Sequence, residues 1–254
     1  IAHSKFGQLQ VAKQLQMQLQ VPILCLEHTL PLEQWPQTQL EQFQNFYGDV
    51  NVFITEYSKN KWNINAPSDV IYHGVDTDLF KPIGLDKVRD MVERNGVLTV
   101  AHDFIKRDYA LNYQGWERIT QGLERKVVGD TEGLSRAAEN IDELVCNYQK
   151  ALVYINPSVL SPVPTSMLEA MACGCPVVSM HNCDIPEFVE HGVNGYLSND
   201  ELELRQFIEK LLDNPDLAID MGKAARKTVL EKCSKERFIS EWNNIFDKTY
   251  EVIK

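Results

Sequence analysis

A chain of 254 residues is long enough for one large or two ordinary domains, each with its own core. Its hydrophobic content of 44% and charged content of 24% are those of a soluble globular protein. Lys and Arg number 25 against 36 Asp and Glu, a net charge of −11, which argues against nucleic acid or an anionic membrane surface as the main partner. Any phosphate must then be held by a local site.

No apolar run approaches the roughly 20 residues of a membrane span. The chain opens at Ile1 without an initiator Met and reads as starting inside a domain, so no targeting segment is legible. Residues 2–20 mix a strand-like alternation, LQMQLQ, with helix-forming residue types. Pro22 breaks the run, so a helix is expected, followed by a strand over Val21–Leu26 that delivers Glu27, His28 and Thr29 to its carboxyl end. Residues 31–49 read as mostly helical, interrupted at Pro36 and stopped at Gly48. A strand over 50–55, a short helix after Ser58 and a third strand over 69–73 follow.

Pro82 and Gly84 mark a linker, and a helix ending near Gly96 precedes the strand VLTVAHDF, which runs into Lys106 and Arg107. Next come a helix with Trp116 and Ile119, the strand RKVVGD ending in Gly129 and Asp130, one shortened loop, and a helix from Ile141.

Residues 153–197 carry the strongest signal. An apolar strand, Leu152–Ile155, leads through a Pro/Ser loop to a helix opening at Pro164 and closing at Gly174, then a strand over Pro176–Met180, a short helix from Ile185 and a strand start at Gly195. Alternating strands and helices write a parallel α/β sheet. Pro suits the first helical position and Gly the left-handed position that closes a helix. The amides of Thr165, Ser166 and Met167 are then expected to be unpaired at the carboxyl edge of the sheet, where a phosphate is the natural guest. Glu169 lies on the same helix face as Thr165 and within reach of such a ligand. A stabilising partner for the helix dipole is the alternative reading of that carboxylate.

Two amphipathic helices separated by Asn214 and Pro215 follow, and the last helix places Phe238, Trp242, Ile245 and Thr249 on one face. Of the 6 cysteines, Cys173 and Cys175 sit in ACGCP with Cys183 nearby. Their spacing is not that of a zinc site, and buried reduced thiols of a cytosolic protein are the default.

LEAMACGCPVVS followed by IPEFVEHGVNGYL resembles the signature of the retaining, family-four type glycosyltransferases (glycosyl transferases group 1). These have GT-B architecture: two Rossmann-like α/β parallel-sheet domains facing a cleft. HGVDTDLFKP, residues 73–82, is similar to the segment by which that family leaves its first domain. The resemblance spans nearly the whole chain, with the opening strands and Gly-rich acceptor loop of the first domain absent. It implies a partial acceptor-side domain over 1–80 and a nucleotide-sugar domain over 81–254, whose last helix, about 235–254, packs back on the first.

The resemblance also implies roles. Of the family's paired glutamates, the second, which hydrogen-bonds the nucleotide ribose, maps onto Glu169, and the first falls on Ser161, a departure from the pattern. The loop SPVPTS then offers amides and hydroxyls, Thr165 and Ser166 among them, to the donor. Lys106 and Arg107 correspond to the family's basic pair on the donor diphosphate, with Arg107 the stronger candidate. By themselves they read as a solvated surface. His28 matches a histidine placed close to the reacting sugar, although an isolated histidine at a strand end is more often structural. His73 is a candidate lining residue, and Gly129 and Asp130 are expected to border the base.

The expectation is a metal-independent, retaining transfer of a sugar from a nucleoside-diphosphate sugar to an acceptor hydroxyl on a glycan, lipid or protein. No cofactor beyond the donor, no nucleic acid and a cytoplasmic location are expected. The alternatives are a sugar-nucleotide epimerase of the same architecture and a non-catalytic nucleotide-sugar-binding module. With only about three strands, the first domain is expected to expose an edge and to support transfer poorly.

Overall fold

The computed structural model describes residues 1–83, 94–160 and 162–252 and divides into two units, residues 1–74 with 235–254, and residues 75–234. The helix expected between Gly84 and Gly96 falls largely on residues outside the described set, and so does Ser161.

The first unit holds a parallel sheet of β1 (Ala2–His3), β2 (Leu24–Glu27), β3 (Val50–Phe53) and β4 (Asp69–Val70), in that order. The sequence suggests three strands; β1 is the addition. Two residues carry no periodicity, and only pairing of Ala2 with Cys25 and His3 with Leu26 makes them a strand. Helix α1 (Gln8–Leu19) occupies the segment whose alternation was ambiguous, and its Leu9 is fully buried. The expected long helix after Pro31 is only α2 (Gln37–Gln44), preceded by Pro36 at its cap. Helix α3 (Glu56–Trp62) starts before Ser58, because Thr55 caps it by accepting the Ser58 amide at 3.0 Å. The last helix of the chain, Lys235–Glu251, belongs to this unit. Its Phe238, Trp242 and Ile245 pack on Leu24, Val50, Val52 and Ile71.

The second unit is an all-parallel sheet of β5 (Asn95–Val100), β6 (Arg125–Val128), β7 (Ala151–Asn156), β8 (Val177–Met180) and β9 (Gly195–Ser198), in the order β6-β5-β7-β8-β9. Strand β7 is buried along its whole length, as a central strand covered on both faces must be. Around the sheet run α4 (Asp108–Leu111), α5 (Tyr113–Thr120), α6 (Ile141–Lys150), α7 (Thr165–Ala172), α8 (Glu201–Leu212) and α9 (Pro215–Lys232), so that the last helix is α10. Residues 185–187 form one turn of 3-10 helix rather than an α-helix. Side-chain caps open α6 and α8: Asn140 accepts the Glu143 amide at 2.9 Å, and Asp200 the Leu202 amide at 2.7 Å. The core joins Val97, Leu152, Ile155 and Val178 of the sheet to Trp116 and Ile119 of α5 and to Leu204 and Ile208 of α8.

Helix α7 is short, and its far end is held firmly. Gly174 closes it at φ 78°, and a Cβ on Gly222 of α9 would lie 2.1 Å from the Gly174 carbonyl oxygen, so the two elements pack backbone to backbone. Its terminal carbonyls receive two guanidinium groups: Arg94 donates to Cys173 and to Gly174 (2.9 Å), and Arg226 donates to Ala172 and to Phe80 (3.0 Å). Cations at the carboxyl end complement the helix dipole and fix where the amino end points.

Candidate active site

Strand order reverses at β5, with β6 on one side and β7 on the other. The crevice outside the carboxyl ends of strands at such a reversal is where open parallel sheets bind ligands. A cavity of about 330 Å³ lies there, a size suited to a small molecule. Thr99, Val100 and Ala101 at the end of β5 and Tyr154, Ile155 and Asn156 of β7 contribute to its lining. The start of α7 contributes Pro164, Thr165 and Ser166 and, one turn on, Glu169, while His102, Phe104, Arg107, Leu111, Leu144, Pro157 and Ser158 complete the wall.

The cavity thus brings together four residues expected from sequence: Arg107, Thr165, Ser166 and Glu169. At the start of α7 the Met167 amide donates to the Pro164 carbonyl at 3.0 Å, which corrects the expectation that it is unpaired. The Thr165 and Ser166 amides have no backbone acceptor among the described residues. Arg107 follows a turn in which Asp103 adopts φ 51°, and its side chain is exposed and without a hydrogen bond or ion pair among the described residues. A free guanidinium and two helix-start amides form a donor set for an anion.

Glu169, one turn further along α7, supplies an acceptor to the same cavity. Its Oε2 accepts a hydrogen bond from the Tyr148 hydroxyl at 2.8 Å. Burial raises its pKa above the ordinary carboxylate value, and the Tyr148 hydrogen bond works against that shift.

Lys106 does not line the cavity. Its side chain is 69% exposed, and its ammonium lies 3.8 Å from Asp103 and 3.9 Å from Glu132. Gly129 and Asp130 stand behind the wall. Gly129 has φ 136°, and a Cβ there would fall 1.9 Å from the Ala101 carbonyl oxygen, so only glycine allows β6 to end against β5. The Asp130 amide donates to His102 Nδ1 at 3.0 Å, which links this turn to a lining residue.

His28 and His73 belong to the first unit. Buried Glu27 shapes the turn after β2 by accepting the Lys5 amide at 2.9 Å and the Thr29 hydroxyl at 2.6 Å. His28 emerges from that turn exposed, its ring 6.3 Å from that of His3. His73 is half-buried, and burial first and the charge of His28 second lower its pKa.

Sequence reasoning passed over His102, Tyr148 and Tyr154. His102 had a signal, since it sits toward the carboxyl end of the strand VLTVAHDF, two residues past the end of β5. The tyrosines had none, being indistinguishable in sequence from core aromatics. Cys173 and Cys175 are both fully buried, and burial pushes both thiols up, so they stay protonated. Cys175 donates to the Tyr148 carbonyl at 3.1 Å. Among the described residues no group of His, Cys, Asp and Glu is arranged to hold a metal ion, and no helix is long and apolar enough to cross a membrane.

Residues 100–214 match the family of glycosyl transferases group 1. An uncharacterized glycosyltransferase of Haemophilus influenzae is 26% identical over 219 residues, covering 78% of this chain and 61% of that protein. N-acetyl-alpha-D-glucosaminyl L-malate synthase of Bacillus anthracis is 34% identical over 90 residues, 35% of this chain and 23% of that one. The chain thus spans less than two thirds of these relatives. Among solved structures, sucrose-phosphate synthase from Thermosynechococcus elongatus superposes with a TM-score of 0.78 at 18% identity, over 96% of this chain and 72% of that one. Anabaena HepE, in complex with UDP and glucose, gives 0.76 at 17% identity over 94% of this chain and 75% of that one. The shared fold is GT-B.

Proposed function

We propose that this chain, a member of the group 1 glycosyl transferases by its match over residues 100–214, takes part in moving a sugar from a nucleoside-diphosphate sugar to an acceptor hydroxyl. The observation that carries the reading is that one cavity, at the β5 strand reversal, brings anion donors (Arg107 and the Thr165 and Ser166 amides) together with an acceptor, Glu169. A nucleoside diphosphate needs that combination: donors for its phosphates and an acceptor for its ribose hydroxyls.

The difficult event is departure of the diphosphate. The bond from the anomeric carbon to the phosphate oxygen breaks, its electron pair stays on the diphosphate, the acceptor oxygen bonds the anomeric carbon, and the acceptor proton leaves with the diphosphate. Donors already aimed at the developing charge are the largest available effect. Arg107 and the two α7 amides fill that role, with Lys106 as a more distant cation. Glu169 orients the donor through its ribose, Gly129 and Asp130 border the base side through His102, and Ser161 occupies the place of the family's other glutamate. His28 is the proposed catalytic histidine on the acceptor side, and His73 a lining residue. Retention at the anomeric carbon and independence of divalent metal complete the proposal, as does a cytoplasmic location.

Thermal-shift titration with UDP, GDP, ADP and their sugars tests the donor site, since a ligand at about 100 times its dissociation constant stabilises by roughly 2.7 kcal/mol. UDP is the first probe because HepE binds it. Incubation with sugar nucleotide and acceptor in EDTA, followed by NMR of the product, tests the chemistry. Loss of turnover in EDTA, or an inverted product, refutes the metal-independent retaining mechanism.

A further inference from the structure

Tyr148 on α6 and Tyr154 on β7 are 0% and 1% exposed. A buried phenol needs a hydrogen-bond partner, and each of these finds it on a cavity-facing side chain of α7. The Tyr148 hydroxyl donates to Glu169 Oε2 at 2.8 Å, and the Tyr154 hydroxyl lies 2.9 Å from Ser166 Oγ. Their rings are in contact, with centroids 6.3 Å apart, and Tyr148 also meets Phe80 edge-on at 6.0 Å. The two hydroxyls are therefore held by packing on elements other than the helix they brace.

The chemistry of the first pair is specific. A tyrosine hydroxyl satisfies a carboxylate only by donating to it, and a hydrogen bond to the charged form favours that form. Burial alone drives Glu169 toward neutrality, and Tyr148 opposes it. With Oε2 engaged, Oε1 has no hydrogen-bond partner among the described residues and remains the acceptor presented to the cavity. Ser166 is braced in the same way one turn earlier, beside the anion donors.

We propose that Tyr148 and Tyr154 are positioning residues with separable tasks: Tyr148 fixes the Glu169 carboxylate for a ribose hydroxyl, and Tyr154 fixes the Ser166 hydroxyl for a diphosphate oxygen. The assignment rests on the donor-site reading above. It differs from plain core packing in a checkable way, because Tyr→Phe keeps the ring and removes only the hydroxyl.

The test is calorimetry of Tyr148→Phe and Tyr154→Phe with UDP, GDP, ADP and ribose-free pyrophosphate, together with carbon-detected NMR titration of the Glu169 carboxyl. Tyr148→Phe should weaken the best nucleotide about tenfold or more, the loss expected for one hydrogen bond to a charged group. It should leave pyrophosphate within about twofold, move the Glu169 titration upward, and regain part of the lost affinity as pH rises. Tyr154→Phe should weaken nucleotide and pyrophosphate alike. In a Glu169→Ala background, Tyr148→Phe should add nothing further. Equal losses for pyrophosphate and nucleotide in Tyr148→Phe, or an unmoved Glu169 titration, overturn the proposal. If no probe binds the unaltered chain, the donor-site reading fails and the ligand roles fail with it, while the Glu169 titration still decides the Tyr148 coupling. Should Tyr148→Phe not fold, the Tyr148 hydroxyl proton in the unaltered chain decides instead: its resonance must follow the Glu169 titration, and indifference to it refutes the coupling.

Discussion

Replacing Arg107 by alanine should separate binding from stability. Its side chain is exposed and makes no hydrogen bond or ion pair among the described residues, so truncation removes nothing the fold depends on and should change stability by no more than about 0.5 kcal/mol. The same guanidinium lines the cavity that the Thr165 and Ser166 amides face. Losing one charge-assisted contact to a diphosphate should cost about 1.5–3 kcal/mol, a loss of affinity of about 10- to 150-fold. Lys106 is the internal contrast. Its side chain is 69% exposed, carries its ammonium within 4 Å of two carboxylates (3.8 and 3.9 Å) and does not line the cavity. Lys106→Ala should therefore weaken binding by less than about 1 kcal/mol. Titration calorimetry with UDP, GDP and ADP, paired with urea denaturation of each variant, provides both readings. A greater loss of affinity in Lys106→Ala than in Arg107→Ala would refute the assignment, and so would a large loss of stability in Arg107→Ala.

Nucleotide affinity should decline as pH falls through the Glu169 pKa, because the ribose acceptor is the ionised form. Burial raises that pKa, so the decline should begin above the usual carboxylate range, and Glu169→Gln should abolish it while sparing pyrophosphate in calorimetry. Gly129→Ala combines a φ of 136° with a Cβ 1.9 Å from the Ala101 oxygen and should cost about 3 kcal/mol or more in urea unfolding. Wild-type stability in that variant would mean that β6 ends differently from the geometry described. Arg226→Met leaves the Ala172, Phe80 and Thr77 carbonyls without their half-buried donor and should cost about 2–4 kcal/mol, read as a lower urea midpoint; an unchanged midpoint would show that this end of α7 needs no cationic cap.

How much of this was legible beforehand differs between the two units. In the second unit, the strand over 152–155, the helix opening at Pro164, the Gly174 stop and the strand over 176–180 were readable because each is written in local terms. An apolar run, a proline without an N–H and a glycine at positive φ need no distant partner to be recognised. The unpaired Thr165 and Ser166 amides at the start of α7 follow from the same signals, and so does the placing of Glu169 on the same helix face. In the first unit the signals were weaker. Residues 2–3 become a strand only by pairing with β2, and the helix after Pro31 shrinks to α2 because nothing local marks where packing gives out.

Only the tertiary structure gives the geometry by which Arg107 lines the cavity while its neighbour Lys106 does not. The resemblance favoured Arg107 over Lys106, but adjacent residues on a turn point different ways, and without the fold that preference had no geometry behind it. The family resemblance implied that the last helix packs back on the first domain, and the structure shows what it meets there: Phe238, Trp242 and Ile245 pack on Leu24, Val50, Val52 and Ile71, whereas an apolar stripe by itself suits any apolar surface equally. The structure also singled out Tyr148 and Tyr154. Their side chains are ordinary core aromatics in sequence, and only the packing of α6 and β7 against α7 brings the two hydroxyls to Glu169 and Ser166. Sequence periodicity records which face is buried; it holds no information on which polar atom meets another across the core, because that depends on the summed offsets of three separate elements.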